Sequence, residues 1–355
     1  MLKAIRKKIK NFSAVLIMKP ENIFYLTGFT GSRGLILITK KNAFFYADFR
    51  YIEYAKKIVP KIFKVLLINK EWKKDLPMLL KKMHIKSLGI EENFLTLKQY
   101  NDLKKLSKKV KLKESKEIIE AVREIKTNKE LTLIKRAQQI NEKVLNNVKK
   151  HIKKGVTEKD IEWLILEQTH KCGGDGPSFS PIVAFGDHCA IPHHQNTDRK
   201  LIKGDTVLID MGVIYKKYCS DMTRTFFTVK PTKLQEKVYL TVLNAQKNAI
   251  KTIKSGLSHK KINNAAINII NKAGYLENFQ HALGHGIGID IHESPNLGAE
   301  KSIKLKENMV ITIEPGIYLK NNFGVRIEDM VKITRNGYIN LTKAPKELKN
   351  AILKI

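Results

Sequence analysis

Thr206-Val207-Leu208-Ile209-Asp210-Met211-Gly212-Val213-Ile214 is the stretch on which the fold turns: an apolar strand with one carboxylate in its interior. A second strand follows, Tyr218-Cys219-Ser220-Asp221-Met222-Thr223-Arg224-Thr225-Phe226-Phe227. A hairpin centred between Tyr215 and Lys216 sets Asp210 opposite Asp221. Directly opposed residues share a sheet face, where like charges repel and burial raises the cost. A cation between the two carboxylates removes the objection.

The figure repeats downstream. Val310-Ile311-Thr312-Ile313-Glu314-Pro315-Gly316-Ile317-Tyr318 is another apolar strand with an internal acid. A turn at Lys320-Asn321-Asn322 leads into Gly324-Val325-Arg326-Ile327-Glu328-Asp329-Met330-Val331, and centring on Asn321 sets Glu314 opposite Glu328. Between the hairpins lies His281-Ala282-Leu283-Gly284-His285-Gly286-Ile287-Gly288-Ile289-Asp290-Ile291-His292-Glu293. Its glycines let backbone approach a site closely and argue against a helix carrying His281 and His285. A single Asp in a strand is often a turn former or an ion-pair partner, and a lone His is often a core residue. Two matched acidic hairpins with an imidazole between them are hard to explain without metal. Four carboxylates and one imidazole form a hard, oxygen-rich set that suits a pair of Mn²⁺ or similar divalent ions better than a Cys/His zinc site.

Outward from this region, Thr127 or Asn128 caps a helix with Leu131, Leu133, Ile134, Ala137, Ile140 and Val144 on one stripe, and Gly155 stops it. Thr157 caps the next helix, with Asp160 in a variant of the capping box. A helical interval is expected over about 233–273. The first third reads as mixed α/β, with strands at Ala14–Met18, Gly34–Thr39, Asn42–Tyr46, Val65–Ile68 and Ser87–Ile90, and a charged, helix-favouring region from about Lys111 to Lys150. A domain boundary is placed near residue 120, before the Thr127 cap.

A chain of 355 residues, 43% of them hydrophobic, suits two globular domains. The formal net charge of +32 comes mostly from Lys scattered over every segment, with no basic run interleaved with aromatics. That is a solvated surface, and no nucleic-acid partner is expected. Three widely spaced cysteines, Cys172, Cys189 and Cys219, form no disulfide framework or zinc ribbon and point to a reducing, cytoplasmic compartment. No apolar run approaches the ~20 residues of a membrane span, so no membrane partner is expected.

The set Ile209-Asp210-Met211-Gly212, Ser220-Asp221-Met222-Thr223-Arg224-Thr225, Gly284-His285-Gly286-Ile287-Gly288, Glu314-Pro315-Gly316-Ile317-Tyr318 and Arg326-Ile327-Glu328-Asp329 resembles the pita-bread metallopeptidases, and within them the Xaa-Pro branch of aminopeptidase P and prolidase. Asn22-Ile23-Phe24-Tyr25-Leu26-Thr27-Gly28-Phe29 and Asp48-Phe49-Arg50-Tyr51 resemble the amino-terminal domain of that branch, with Phe49 where Ser is usual. The resemblance implies an α/β (α+β) fold: a small mixed α/β domain over 1–120, then a pita-bread catalytic domain over 121–355. It implies that Asp210 chelates one metal, that Asp221 and Glu328 bridge both, and that His285 and Glu314 hold the other. The pair is expected to be Mn²⁺, with Co, Zn or Fe as alternatives. His193, in Ile191-Pro192-His193-His194, resembles a histidine that contacts substrate near the scissile carbonyl. Its neighbour His194 stands where Gly is common, which leaves open which of the two reaches in. His292 resembles the second active-site histidine, and His281 the one preceding the Gly-His-Gly. Arg326 resembles a residue that orients a ligating carboxylate.

The implied chemistry is hydrolysis by water activated between two divalent ions. His193 or His292 donates to the oxyanion, and Glu314 passes the water proton to the leaving imide nitrogen. The implied substrates are peptides with proline second. Prolidases tend to show Arg soon after the His-Glu pair, and Arg suits a dipeptide's free carboxylate. Here Asn296 stands there, which favours Xaa-Pro aminopeptidase over Xaa-Pro dipeptidase. Methionine aminopeptidase shares the ligand pattern but lacks a first domain of this size. A metal-free relative would have lost ligands, and none is lost. A homodimer is expected from the family.

Overall fold

The computed structural model describes residues 2–9, 11–68, 72–298 and 300–353. The chain divides into two compact units, Met1–Arg123 and Glu124–Ile355.

The first unit is built on a six-stranded sheet of β1 (Ala14–Ile17), β2 (Gly34–Thr39), β3 (Ala43–Ala47), β4 (Lys64–Leu67), β5 (Ser87–Ile90) and β6 (Lys111–Glu114), in the order β4-β3-β2-β1-β5-β6. The central hairpins are antiparallel, and β4, β5 and β6 join in parallel. Alternation sends Val15, Ile17, Ile36, Ile38 and Phe45 to one core and Ala14, Leu16, Leu35, Leu37 and Tyr46 to another, so both faces of the sheet are covered. The helices are α1 (Leu2–Lys8), α2 (Pro20–Thr27), α3 (Ile52–Ile58), α4 (Trp72–Lys82), α5 (Leu97–Leu106) and α6 (Glu120–Arg123). Strand β6 corrects the sequence expectation of a helical region from Lys111. Lys111-Leu112-Lys113-Glu114 is an edge strand whose charged side chains stay in water while Leu112 turns to the core.

The second unit opens with α7 (Asn128–Lys149) and α8 (Glu158–Lys171), capped by Thr127 with Glu130 and by Thr157 with Asp160 in reciprocal capping boxes. Helix α7 ends at Lys149, earlier than the expected stop at Gly155; Gly155 instead takes φ +91° in the turn before α8. The strands follow: β7 (Gly176–Pro177), β8 (Ile182–Phe185), β9 (Thr206–Met211), β10 (Val213–Tyr215), β11 (Tyr218–Cys219) and β12 (Met222–Phe227). Helices α9 (Lys233–Thr252) and α10 (His259–Lys272) divide the expected helical interval. Then come β13 (His285–Gly286), β14 (Glu293–Asn296), β15 (Val310–Ile313), β16 (Gly316–Leu319), β17 (Phe323–Arg326), β18 (Asp329–Ile333) and β19 (Tyr338–Asn340). Sheets β12-β9-β8, β11-β10-β7, β14-β13-β15-β18-β19 and β16-β17 result.

The long strands of the sequence reading are broken at three of the four acids, Asp210 alone staying within its strand, β9. Asp221 lies in the gap between β11 and β12, and Glu314 and Glu328 lie between the β15–β18 and β16–β17 pairings. The first hairpin is also shifted from the expected register: Asp210 pairs with Thr223, not Asp221. Its turn is Lys216–Lys217, with φ 48° and 72°, flanked by the Tyr215–Tyr218 pair. A two-residue turn with both φ positive is the hairpin type matched to strand twist. The displacement is two residues, which keeps every side chain on its expected face. The second hairpin keeps its expected register: Gly316 pairs with Arg326 and Ile313 with Asp329, so Glu314 and Glu328 sit level across the gap.

Candidate metal centre

Four carboxylates and an imidazole converge in the second unit. The donor atoms of Asp221, His285 and Glu328 all lie within 4.8 Å of one another. His285 Nε2 is 3.5 Å from Asp221 Oδ2 and 3.4 Å from Glu314 Oε1. Its other nitrogen, Nδ1, is 3.0 Å from the Gly286 carbonyl, so Nδ1–H donates there and Nε2 presents a lone pair to the acids. The flanking glycines are required by close approach. A Cβ on Gly284 would run into the Thr312 carbonyl, and one on Gly286 into the Ser294 carbonyl.

Asp210 joins through Arg326, which is buried and engaged through all three of its nitrogens. Arg326 Nη2 donates to Asp210 Oδ2 at 2.7 Å, Nη1 to Tyr318 Oη at 2.8 Å and to the Pro192 carbonyl at 3.3 Å, and Nε to Thr223 Oγ1 at 3.1 Å. Thr223 Oγ1 in turn donates to Glu328 Oε2 at 2.9 Å, and Thr312 Oγ1 to Glu314 Oε1 at 3.2 Å. Arg326 therefore aims two of the acids, one directly and one through Thr223.

The remaining lone pairs supply the test of whether an ion fits. Among the described residues, Asp210 Oδ1, Asp221 Oδ1 and Glu328 Oε1 are buried without a hydrogen-bond partner. Buried carboxylate oxygens in native proteins are nearly always satisfied. Burial, followed by the charges of Asp210 and Glu314, pushes the Asp221 pKa well up. Burial and then Asp221, Glu314 and Asp210 do the same to Glu328. Burial raises Glu314 too, against His285 and Arg326. Crowded acids with unclaimed oxygens beside an oriented imidazole have the donor chemistry of a divalent-cation site.

The histidines divide by position. His193 is exposed, while His194 is buried and turns to Glu158, Nε2 to Oε2 2.8 Å. The charge of His193 bears on both His281 and His292, whereas His194 is held away at Glu158. His292 stacks edge-on against His285, ring centroids 4.3 Å apart. Partial shielding from water, then His285 and His193, lower its pKa. His281 stands back from the acids. Tyr318 Oη accepts from Arg326 and so gives its proton to His281 Nε2, 3.0 Å away, leaving His281 Nδ1–H to donate to the Ala282 carbonyl at 2.8 Å. Burial first, then Arg326 and His193, lower its pKa to about 4.

The sequence reading did not single out several of these residues. Thr223, Thr312 and Tyr318 connect the charged groups, as above. Arg224 donates to the Thr223 and Glu328 carbonyls and pairs with buried Asp329 at 2.8 Å, which also holds Asn340 and Lys346. Lys126 pairs with Glu293 at 2.9 Å in near-complete burial, and Glu293 Oε1 accepts from the Ile289 and Asp290 amides. That carboxylate holds the turn that carries His292. Thr223 and Arg224 stand beside Asp221 in the quoted motif, but nothing in their spacing marks partners a hundred residues away.

Residues 132–335 match metallopeptidase family M24, and residues 2–125 match the creatinase/prolidase N-terminal domain. The chain is 37% identical over 345 residues to a Xaa-Pro dipeptidase of Pyrococcus horikoshii, covering 95% of each. Among solved structures, a Xaa-Pro dipeptidase from Bacillus anthracis superposes with TM-score 0.95 at 34% identity, covering 98% of both chains. An X-Pro aminopeptidase from Thermotoga maritima superposes with TM-score 0.89 at 32% identity, covering 96% of this chain and 98% of that one.

Proposed function

The chain belongs to metallopeptidase family M24, and we propose that it hydrolyses the bond between an amino-terminal residue and proline, with Asp210, Asp221, His285, Glu314 and Glu328 holding two divalent ions, Mn²⁺ foremost. The observation that carries this reading is the convergence of these five side chains with three buried carboxylate oxygens left unpartnered among the described residues. The proline preference is supported by the names of the relatives above.

Bound ions supply an acidified water and polarise the scissile carbonyl. The chain's own groups do the rest. To His193 and His292, both exposed, falls the donation of an N–H to the oxygen of the carbonyl as the water oxygen adds to its carbon. Glu314 takes the water proton and returns it to the proline nitrogen as the C–N bond breaks. Arg326 keeps Asp210 aimed throughout.

The aminopeptidase reading rests on Asn296. It lies across from His285 in the β13–β14 pairing, and its exposed amide folds back to accept from Gly298 N at 2.8 Å, with no cation at that position to take a substrate carboxylate. The dipeptidase reading is favoured by the Pyrococcus and Bacillus names. Metal-stripped protein assayed with and without Mn²⁺ on a Xaa-Pro dipeptide and a Xaa-Pro-Xaa tripeptide separates them. Cleavage of the tripeptide supports the first, cleavage of the dipeptide alone supports the second, and silence on both with metal bound refutes the proline reading. A homodimer in a reducing cytoplasm completes the proposal. Three unpaired cysteines agree with that compartment, and sedimentation tests the dimer.

A further inference from the structure

Glu158 opens α8 and is completely buried. Its carboxylate receives five hydrogen bonds from one loop. Oε1 accepts from Phe185 N at 2.9 Å and His188 Nδ1 at 2.8 Å; Oε2 accepts from His194 Nε2 at 2.8 Å, Thr197 N at 2.9 Å and Thr197 Oγ1 at 2.7 Å. The rings of His188 and His194 lie 4.4 Å apart over it. Since an ionised carboxylate only accepts, His188 is protonated at Nδ1 and His194 at Nε2.

The loop gripped in this way carries His193. His193 is exposed between the two anchored histidines, and its immediate neighbour is among the most firmly held side chains in the segment. An anchored His194 sets the direction in which His193 leaves the backbone. A second tie comes from the other side, where the Pro192 carbonyl accepts from Arg326. Glu158, His188 and His194 are also a trio of the size that holds an ion, their donor atoms within 4.8 Å of one another. Five donors on two oxygens already fill the carboxylate's lone-pair sites, so an ion there would have to displace bonds already made.

We propose that Glu158, through His188 and His194, is a positioning residue for His193, holding the 185–197 loop so that His193 faces the carboxylate cluster. This assignment rests on the proposed function in one respect, the place of His193 beside the substrate.

A double-mutant cycle tests it. Holoenzyme His194→Ala should lose ~10–100-fold in kcat on a Xaa-Pro peptide, the range for residues that orient a catalytic group, with KM and metal content little changed. In a His193→Ala background the same substitution should cost less than about threefold, because the group being positioned is gone. His194→Gln, which restores an N–H donor, should recover part of the loss. Equal losses in both backgrounds would show a general structural role and overturn the proposal. Loss of a bound-ion equivalent in His188→Ala or His194→Ala would overturn it in favour of a further metal site. If the parent enzyme is inactive on Xaa-Pro peptides, the proposed function has failed separately. Nitrogen-15 histidine spectra then decide the positioning. His193 resonances that move in His194→Ala, with the two tautomers above seen in the parent, support it; an unmoved His193 refutes it.

Discussion

Asp221→Asn separates what the acidic cluster does to stability from what it does to chemistry. Asp221 and Glu328 are buried, with donor oxygens no more than 4.8 Å apart. Two unit charges at that separation repel by roughly 3.5 kcal/mol at an effective dielectric of about 20. Asn keeps the shape and one acceptor but removes the charge. Loss of the attraction to Arg326 offsets part of the gain, leaving the metal-free variant about 2–3 kcal/mol more stable than the metal-free parent at neutral pH. For a unit of this size that is about 4–12 °C in Tm. The pH dependence has a definite sign. Burial and neighbouring acids raise the folded pKa of both Asp221 and Glu328, so the folded state keeps protons that the unfolded chain releases. Parental stability is therefore intact below the unfolded carboxylate value, near 4, and falls as pH rises toward the raised folded values. The gap between variant and parent should be absent below about pH 4 and open above it. Thermal unfolding in EDTA from pH 4 to 8 measures it. Adding Mn²⁺ should then reverse the order, stabilising the parent and not the variant. A metal-free variant no more stable than the parent at pH 8 would mean that the charges are not in conflict, and the physical basis for a cation would be gone.

Tyr318→Phe removes the hydroxyl between buried Arg326 and half-buried His281 and leaves both short of a bond; kcat should fall about tenfold and Tm by the equivalent of ~1–3 kcal/mol, as calorimetry would show. Lys126→Met strands the Glu293 carboxylate, and urea unfolding should register a loss of about 3–5 kcal/mol, much of it recovered in the double variant with Glu293→Gln. Asn296→Arg should raise kcat/KM for a Xaa-Pro dipeptide relative to a tripeptide at least tenfold; an unchanged ratio would show that residue 296 does not meet the substrate carboxylate.

How much of this was legible depended on whether the information was local. The Glu314–Glu328 pairing followed from alternation and a turn around Asn321, which takes φ 58°. The Asp210–Asp221 pairing missed by two residues because Lys216–Lys217 makes the turn without the Asn-Gly signature. The error left the face intact because side chains alternate with period two. Strand β6 was hidden because a charged edge strand has the composition of a solvated helix. The role of Arg326 was visible only through resemblance, and the roles of Tyr318, Thr312 and Asp329 not at all, since their partners come from other strands. Glu158 drew no notice in the sequence because its partners lie 27–39 positions on.

The breaks in the strands explain how Asp221, Glu314 and Glu328 are held so closely. An acid within a regular strand would spend its backbone on the neighbouring strand and share its side chain's direction with the pleat. At the gaps, the backbone amides reach across sheets instead. Glu314 N donates to Leu283 O, two residues before His285, and Glu328 N donates to Thr223 O, two residues after Asp221. Each half of the second hairpin is thereby tied by main chain to the segment that carries a different metal-binding candidate. Leu297 N adds a bond to Gly284 O, immediately before His285. Side-chain repulsion among the acids thus works against main-chain bonds in several sheets at once. Relaxing the cluster would break bonds in each of them, whereas a cation would relieve the repulsion and leave every one of those bonds in place.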